Sequence, residues 1–200
     1  MAASSPHRKK VKHFHETGHL HELTFSCYRR MPLLTNDDWR RRLARCLDVA
    51  GQEESIRLVA FVFMPTHVHL LTLPLSDSPN VSRYLARIKQ PLSKQVREQL
   101  GVGRSRLLDK LTVRERPGKS SFRFWQQGSG YDRNLFTPSA IEASIDYIHA
   151  NPVCADLCGR AVDWKWSSAR YYIGDPPKQQ YADLPRVECL PPDAFEESVS

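Results

Sequence analysis

The amino-acid sequence predicts an α+β fold of the ferredoxin-like, split βαβ type: an antiparallel four-stranded sheet with helices on one face. Three observations carry this. Segments with strand and helix character follow the order strand, helix, strand, strand, helix, strand, which is the pattern of that architecture. The second and third strands meet at the tight turn Met64-Pro65-Thr66, which makes them antiparallel neighbours. The first two helical segments each carry apolar residues at helical spacing, as helices lying on a sheet do. The first and third strands then form the central pair, so the third strand is a rigid place to hold a site.

Each element has its own signal. In HLHELTFSCY (19–28), His21, Leu23, Phe25 and Cys27 alternate with Thr24, Ser26 and Tyr28, the period of a strand. Thr35 or Asn36 caps a helix that opens with Asp37 and Asp38 and repeats Trp39, Leu43, Cys46, Leu47 and Ala50 at helical spacing. SIRLVAFVF (55–63) reads as a nearly continuous apolar strand, and HVHLLTLP follows as the third. From Asn80 a long helix runs to Leu100 with Val81, Tyr84, Leu85 and Ile88 as its stripe, and Pro91 is expected to kink or split it. The Gly-, Ser- and Arg-rich stretch 101–121 reads as a flexible loop, and FRFWQQ (122–127) as the fourth strand. Thr137, Pro138 and Glu142 open a last helix, expected to end near Asn151 because Pro152 disfavours α geometry before it.

Composition bounds the function. Of 200 residues, 40% are apolar and 26% charged, a globular balance with no run of about 18 apolar residues that could span a bilayer. One domain is expected over 19–173, flanked by a basic arm (1–18) and a Pro-rich acidic tail (174–200) read as poorly ordered. The arm has no apolar core of a secretory signal, so the expected location is cytoplasmic, with no membrane partner. Five scattered cysteines without a C-x-x-C pair argue against a zinc ribbon or a disulfide framework. Net charge is +7, and from Asp175 onward six acids face only Lys178 and Arg186, so residues 1–174 carry a net charge of +11. A body this basic suits a polyanion such as a phosphate backbone, although a solvated cationic surface gives the same count.

The chemistry concentrates in FVFMPTHVHLLTLP (61–74). Period two sends His67 and His69 to one face with Leu71 and Leu73, so two imidazoles converge on one patch. H-x-H recurs at His13/His15 and His19/His21, but the first pair lies in the arm and the second opens strand one beside the far end of strand three. In IEASIDYIHANP, Tyr147 and Asn151 are four apart and share a helical face with Ser144 behind them. Laid across the free face of the sheet, that helix brings a phenol and a carboxamide towards the histidines. Two imidazoles and an amide oxygen suit a hard or borderline divalent cation. The same tyrosine and asparagine also suit an ordinary helix end before a proline.

The ordered set MPTHVHLL, FWQ, YDRNL, YIHANPV and DWKWSSARYY resembles the REP-associated tyrosine transposases, a branch of the single-tyrosine HUH insertion-sequence transposases. The resemblance covers roughly residues 19–173. It implies that His67, His69 and Asn151 hold Mg or Mn and that Tyr147 attacks single-stranded DNA beside a hairpin, forming a 5′-phosphotyrosine. It also implies a monomer or a homodimer. Candidate DNA-binding residues are Arg83, Arg87, Lys89, Lys94, Arg123, Arg133 and Arg170, with Trp125 and Trp166 as stacking rings that equally suit the core. Two positions depart from the family pattern: Thr66 stands where an asparagine is usual, and Cys154 where a basic residue is usual. The competing readings are a replication initiator or relaxase built on the same histidine pair, and a DNA- or RNA-binding regulator that has lost catalysis.

Overall fold

A computed structural model describes residues 19–76, 78–128, 130–172, 181–188 and 190. Strand β1 (Leu20–Ser26) is followed by helix α1 (Asp37–Glu54), strands β2 (Ile56–Phe63) and β3 (His67–Pro74), and helix α2 (Val81–Val102). Next come α3 (Arg106–Leu111), the hairpin β4 (Thr112–Arg116) and β5 (Lys119–Phe122), then β6 (Tyr131–Leu135), α4 (Pro138–Cys154) and α5 (Ala169–Tyr172). The main sheet has the order β2-β3-β1-β6, all antiparallel, with β1 and β3 at the centre. This is the split βαβ arrangement that the order of elements predicts.

The pleat divides the sheet into two faces. Leu23 and Phe25 of β1, Phe61 and Phe63 of β2, and Val68 and Leu70 of β3 pack under α1 and α2 in the main core. Asn36 caps α1 by accepting from the Trp39 amide, and Asp37 and Asp38 complement the helix dipole. On the other face, Ile141, Ile145 and Ile148 of α4 pack on Ala60, Val62, Met64 and Leu71 in a second core. Thr137 caps α4 from the Ala140 amide, with Pro138 in its first turn.

Several expectations are corrected. The fourth strand of the sheet is Tyr131–Leu135, not 122–127. Phe124 and Trp125 are consecutive yet both buried in the same main core, which an alternating strand would send to opposite faces, and only Trp125 bridges to Cys27. At the edge of β1, Gly130 has φ +78°, and a Cβ there would lie 2.3 Å from the Thr24 carbonyl oxygen, so only glycine admits this approach. Residues 101–121 are not a loop: Ser105 caps α3, and Pro117-Gly118, with Gly118 at φ +76°, turns the β4–β5 hairpin. Helix α2 runs unbroken through Pro91. Helix α4 continues past Asn151 to Cys154, with a buried Pro152. Near the end of a helix only one carbonyl, that of Ile148, loses its amide donor, and burial of the ring offsets that loss.

The acidic tail is packed over residues 181–188, where Leu184 and Val187 join the main core. Asp183 pairs with Arg41 and Lys165, and the Glu188 amide donates to the Leu58 carbonyl. The basic arm and, apart from Leu190, the remainder of the tail lie outside the described residues. No helix of the described residues is long and apolar enough to cross a membrane.

Candidate active site

Between α4 and the sheet lies a cavity of about 700 Å³. Its floor is the open face of the central strands: Glu22, Thr24 and Ser26 of β1 beside His67 and His69 of β3. Antiparallel register sets Thr24 opposite His69 and Ser26 opposite His67. Its wall is one stripe of α4, Ala140, Ala143, Ser144 and Tyr147, at i, i+3, i+4 and i+7. The apolar stripe of the same helix lies alongside, so burial of three isoleucines fixes where the wall stands.

The two imidazoles lie edge to face with ring centroids 4.8 Å apart. Each is held through Nδ1 by a threonine hydroxyl: Thr66 Oγ1 at 2.9 Å from His67, and Thr24 Oγ1 at 2.8 Å from His69. With Nδ1 donating to the hydroxyl, Nε2 carries the lone pair. His69 Nε2 is buried and has no hydrogen-bond partner among the described residues. Burial, and then the neighbouring His67, pushes the His69 imidazole down to about 4. Burial, and then the charge of Arg30, lowers His67. Both rings are therefore neutral near pH 7, and with Nδ1 as the donor to each hydroxyl they are in the state in which imidazole accepts a metal. Thr66, one of the two departures from the family pattern, is thus the hydroxyl that orients His67.

The Tyr147 ring lies 5.4 Å from the His69 ring, edge to face, and the residue is 52% exposed. Asn151 is one turn further along α4 and does not line the cavity; its Nδ2 donates to the Tyr147 carbonyl at 2.7 Å, which leaves Oδ1 as its acceptor atom. Glu22 is buried in the cavity floor and its carboxylate accepts from Ser144 Oγ at 3.2 Å. Among the described residues, no three His, Cys, Asp or Glu side chains gather closely enough to hold an ion, so Glu22 does not complete the histidine pair.

The other candidate residues scatter. Arg133 lines the cavity. Arg83 and Arg87 clamp the buried Glu54 carboxylate between α1 and α2, and Lys89 lies over the Phe25 ring; all three are on the helix-packed side of the sheet, as is Lys94 on the same helix. Arg123 pairs with Glu115, and Arg170 donates to the Val162 carbonyl. Trp125 and Trp166 are 8% and 3% exposed, too buried to offer a ring face to a base. Trp125 donates to the Lys89 carbonyl, and Trp166 stacks on Phe63. Of the candidate cations and rings, the cavity gathers only Arg133.

Sequence reasoning missed Glu22, Tyr131 and Arg30. Glu22 shares the strand face of Thr24, a signal legible in the alternation. Tyr131 sits opposite Thr24 on β6, 52% exposed at the cavity. Arg30 follows the end of β1, where Arg29 and Arg30 both have φ +51°, a left-handed geometry that costs non-glycine residues on the order of 1–3 kcal/mol each. Nothing local in the sequence announces that turn.

The sheet topology, with a paired-histidine floor under a tyrosine-bearing helix, defines an α+β protein whose cavity opens on the face of the central strands. The IS200-like transposase family model matches residues 16–150, and the chain belongs to that family. Among solved structures, a REP-associated tyrosine transposase bound to a REP hairpin is similar in fold, with 16% identity, a TM-score of 0.61, and coverage of 90% of this chain and 99% of that one. A putative transposase from Deinococcus radiodurans R1 is 17% identical with a TM-score of 0.42, covering 72% of this chain and 97% of that one. A search of the curated proteins finds no match.

Proposed function

We propose that this IS200-like transposase is a metal-dependent endonuclease and strand transferase that cuts single-stranded DNA beside a hairpin, with Tyr147 as the nucleophile. The observation that carries the reading is the contact between Tyr147 and His69 in a cavity whose second imidazole, His67, is also held through Nδ1. The neighbour of like fold, bound to a REP hairpin, supplies the class of substrate.

His67 and His69 would hold Mg or Mn through Nε2, with Asn151 Oδ1 as the third protein ligand once its side chain turns from the helix towards the cavity. A divalent ion there supplies charge neutralisation of a non-bridging phosphate oxygen. Thr24 and Thr66 keep both imidazoles in the accepting tautomer. Tyr147 directs its phenol at phosphorus; the Oη–P bond forms, the P–O3′ bond breaks, and the phenolic proton passes through solvent to the departing 3′ oxygen. One phosphoester replaces another, so the step is reversible, and a 3′ hydroxyl attacking the phosphotyrosine completes strand transfer. Neither step uses a nucleotide cofactor.

One observation favours a second reading, a DNA-binding regulator without catalysis: Asn151 is engaged with its own helix and is outside the cavity lining. End-labelled hairpin oligonucleotides incubated with Mg, with Mn and with chelator separate the two. Metal-dependent cleavage with a protein-linked 5′ product supports the enzyme, and binding without cleavage in every metal supports the regulator.

A further inference from the structure

Many cations of the described residues have an acidic partner: Arg41 and Lys165 pair with Asp183, Arg42 with Asp38, Arg57 with Glu188, Arg83 and Arg87 with Glu54, and Arg160 with Asp163. Others, such as Arg45, have none among the described residues, so a missing partner is not by itself a signal. Arg30 and Arg133 differ in place: both are exposed and line the cavity, and neither side chain has an ion pair or hydrogen bond among the described residues. The one carboxylate in the lining, Glu22, accepts from Ser144 instead.

The backbone that carries Arg30 is also unusual. Two consecutive arginines in the left-handed region persist only where the surroundings over-determine them, and here they do. The Cys27 amide donates to the Thr66 carbonyl at 2.8 Å, tying the turn to the residue before His67. The Tyr28 amide donates to the Phe124 carbonyl at 2.8 Å, the Arg29 amide to Gln126 Oε1 at 3.1 Å, and the Arg30 amide to the Cys27 carbonyl at 3.0 Å. A strained turn is thus strapped on both sides and delivers an unpaired guanidinium to the same cavity as His67. Glycine would take this geometry without strain, whereas arginine at position 30 places a guanidinium in the cavity lining.

We infer that Arg30 is a phosphate-binding residue: its guanidinium receives a non-bridging oxygen of the DNA phosphodiester seated over His67 and His69, with Arg133 on the β6 side of the cavity. Planar donors fit two phosphate oxygens at once, which a lysine does not reproduce. The contact rests on the proposed single-strand DNA function and gives that function its anchoring cation, one that α2, on the far side of the sheet, does not provide.

The test measures salt-dependent binding in chelator, so that no metal contributes. A hairpin oligonucleotide with single-stranded flanks is selected on the wild-type protein from a random-sequence pool, and anisotropy titrations are run at a series of KCl concentrations. Loss of one phosphate contact on a single strand lowers the magnitude of the log-log slope by about 0.7. Arg30→Gly is expected to show that loss and slower metal-dependent cleavage, with a melting temperature no lower than wild type because the strain is relieved. Arg30→Lys is expected to recover the slope and only part of the cleavage rate. Arg45→Gln, an exposed cation on the helix α1, is expected to match wild type in both. Should the glycine variant fail to fold, Arg30→Gln, which keeps the aliphatic stem, is scored the same way. Wild-type slope and cleavage in the charge-removing variant overturn the inference and leave the function standing. A wild-type protein that selects no single-stranded DNA at all overturns the function, and the inference with it.

Discussion

On one face of the central strands, Leu23, Phe25, Val68 and Leu70 are sealed beneath α1 and α2; on the other, Thr24, Ser26, His67 and His69 face a cavity under α4. The two faces interleave residue by residue along the same backbone. Period two is therefore enough to separate the packed core from the cavity lining: neighbours in sequence face opposite ways, and neighbours on one face are two apart. On the packed side, Arg83 and Arg87 pair with Glu54, and Arg87 also with Glu53, whereas Arg30 and Arg133 at the cavity have no ion pair among the described residues.

Removing the histidines separates the two faces of the sheet most clearly. His67→Ala combined with His69→Ala is expected to reduce metal-dependent hairpin cleavage to background while thermal unfolding shifts little, since the pair borders a cavity. A large fall in melting temperature with cleavage retained would make the pair structural. The opposite face should behave inversely. Leu70→Ala, fully buried, is expected to cost about 2–5 kcal/mol in denaturant unfolding and to leave cleavage per folded molecule unchanged at low temperature.

A subtler change sharpens the division further. Thr24→Val keeps shape but removes the hydroxyl that holds His69 Nδ1; orienting bonds of this kind are worth roughly 10–100-fold in metal affinity. Calorimetric Mn titration reads it, and unchanged affinity would mean that the imidazole is held by packing alone.

The smallest effect concerns Lys89, which burial lowers from 10.5 to about 8 in the folded protein. Between those values the unfolded chain binds more protons, so stability rises with pH from about 8 to 10.5 as the cost of burying the charge is relieved, and below about 8 that cost is fully present. Lys89→Met is expected to raise the melting temperature modestly at pH 7, with an advantage that narrows towards pH 10. An equal gain at both pH values would show that the charge is not the cause. The salt dependence of DNA binding should not change, because Lys89 is on the packed face.

Strand alternation and helix caps were legible in the sequence because they depend on neighbours a few residues away. The histidine pair and the tyrosine helix followed from that alternation and from i, i+4 spacing. What escaped depends on distant parts of the chain. FRFW has the aromatic content of a strand, but burial of Phe124 and Trp125 in the main core takes it out of the sheet, and YDRNL fills the edge through the close approach at Gly130. Pro117-Gly118 announced a hairpin and was outweighed by the Gly and Ser content around it. Trp125 and Trp166 resolve to core because each finds a packed niche that composition does not reveal. Arg30 was invisible because its backbone geometry is imposed by Phe124, Gln126 and Thr66, all far away in sequence.

The central claim is that Tyr147 is the residue that attacks DNA, and the cavity holds a specific rival in Tyr131, equally exposed and one strand away from the histidines. The direct measurement traps the covalent product on a hairpin oligonucleotide and locates it by peptide mass spectrometry in wild type, Tyr147→Phe and Tyr131→Phe. The account predicts a DNA-linked peptide containing Tyr147 in wild type and in Tyr131→Phe, and no adduct but undiminished hairpin binding in Tyr147→Phe. An adduct on Tyr131, or one that survives Tyr147→Phe, contradicts it.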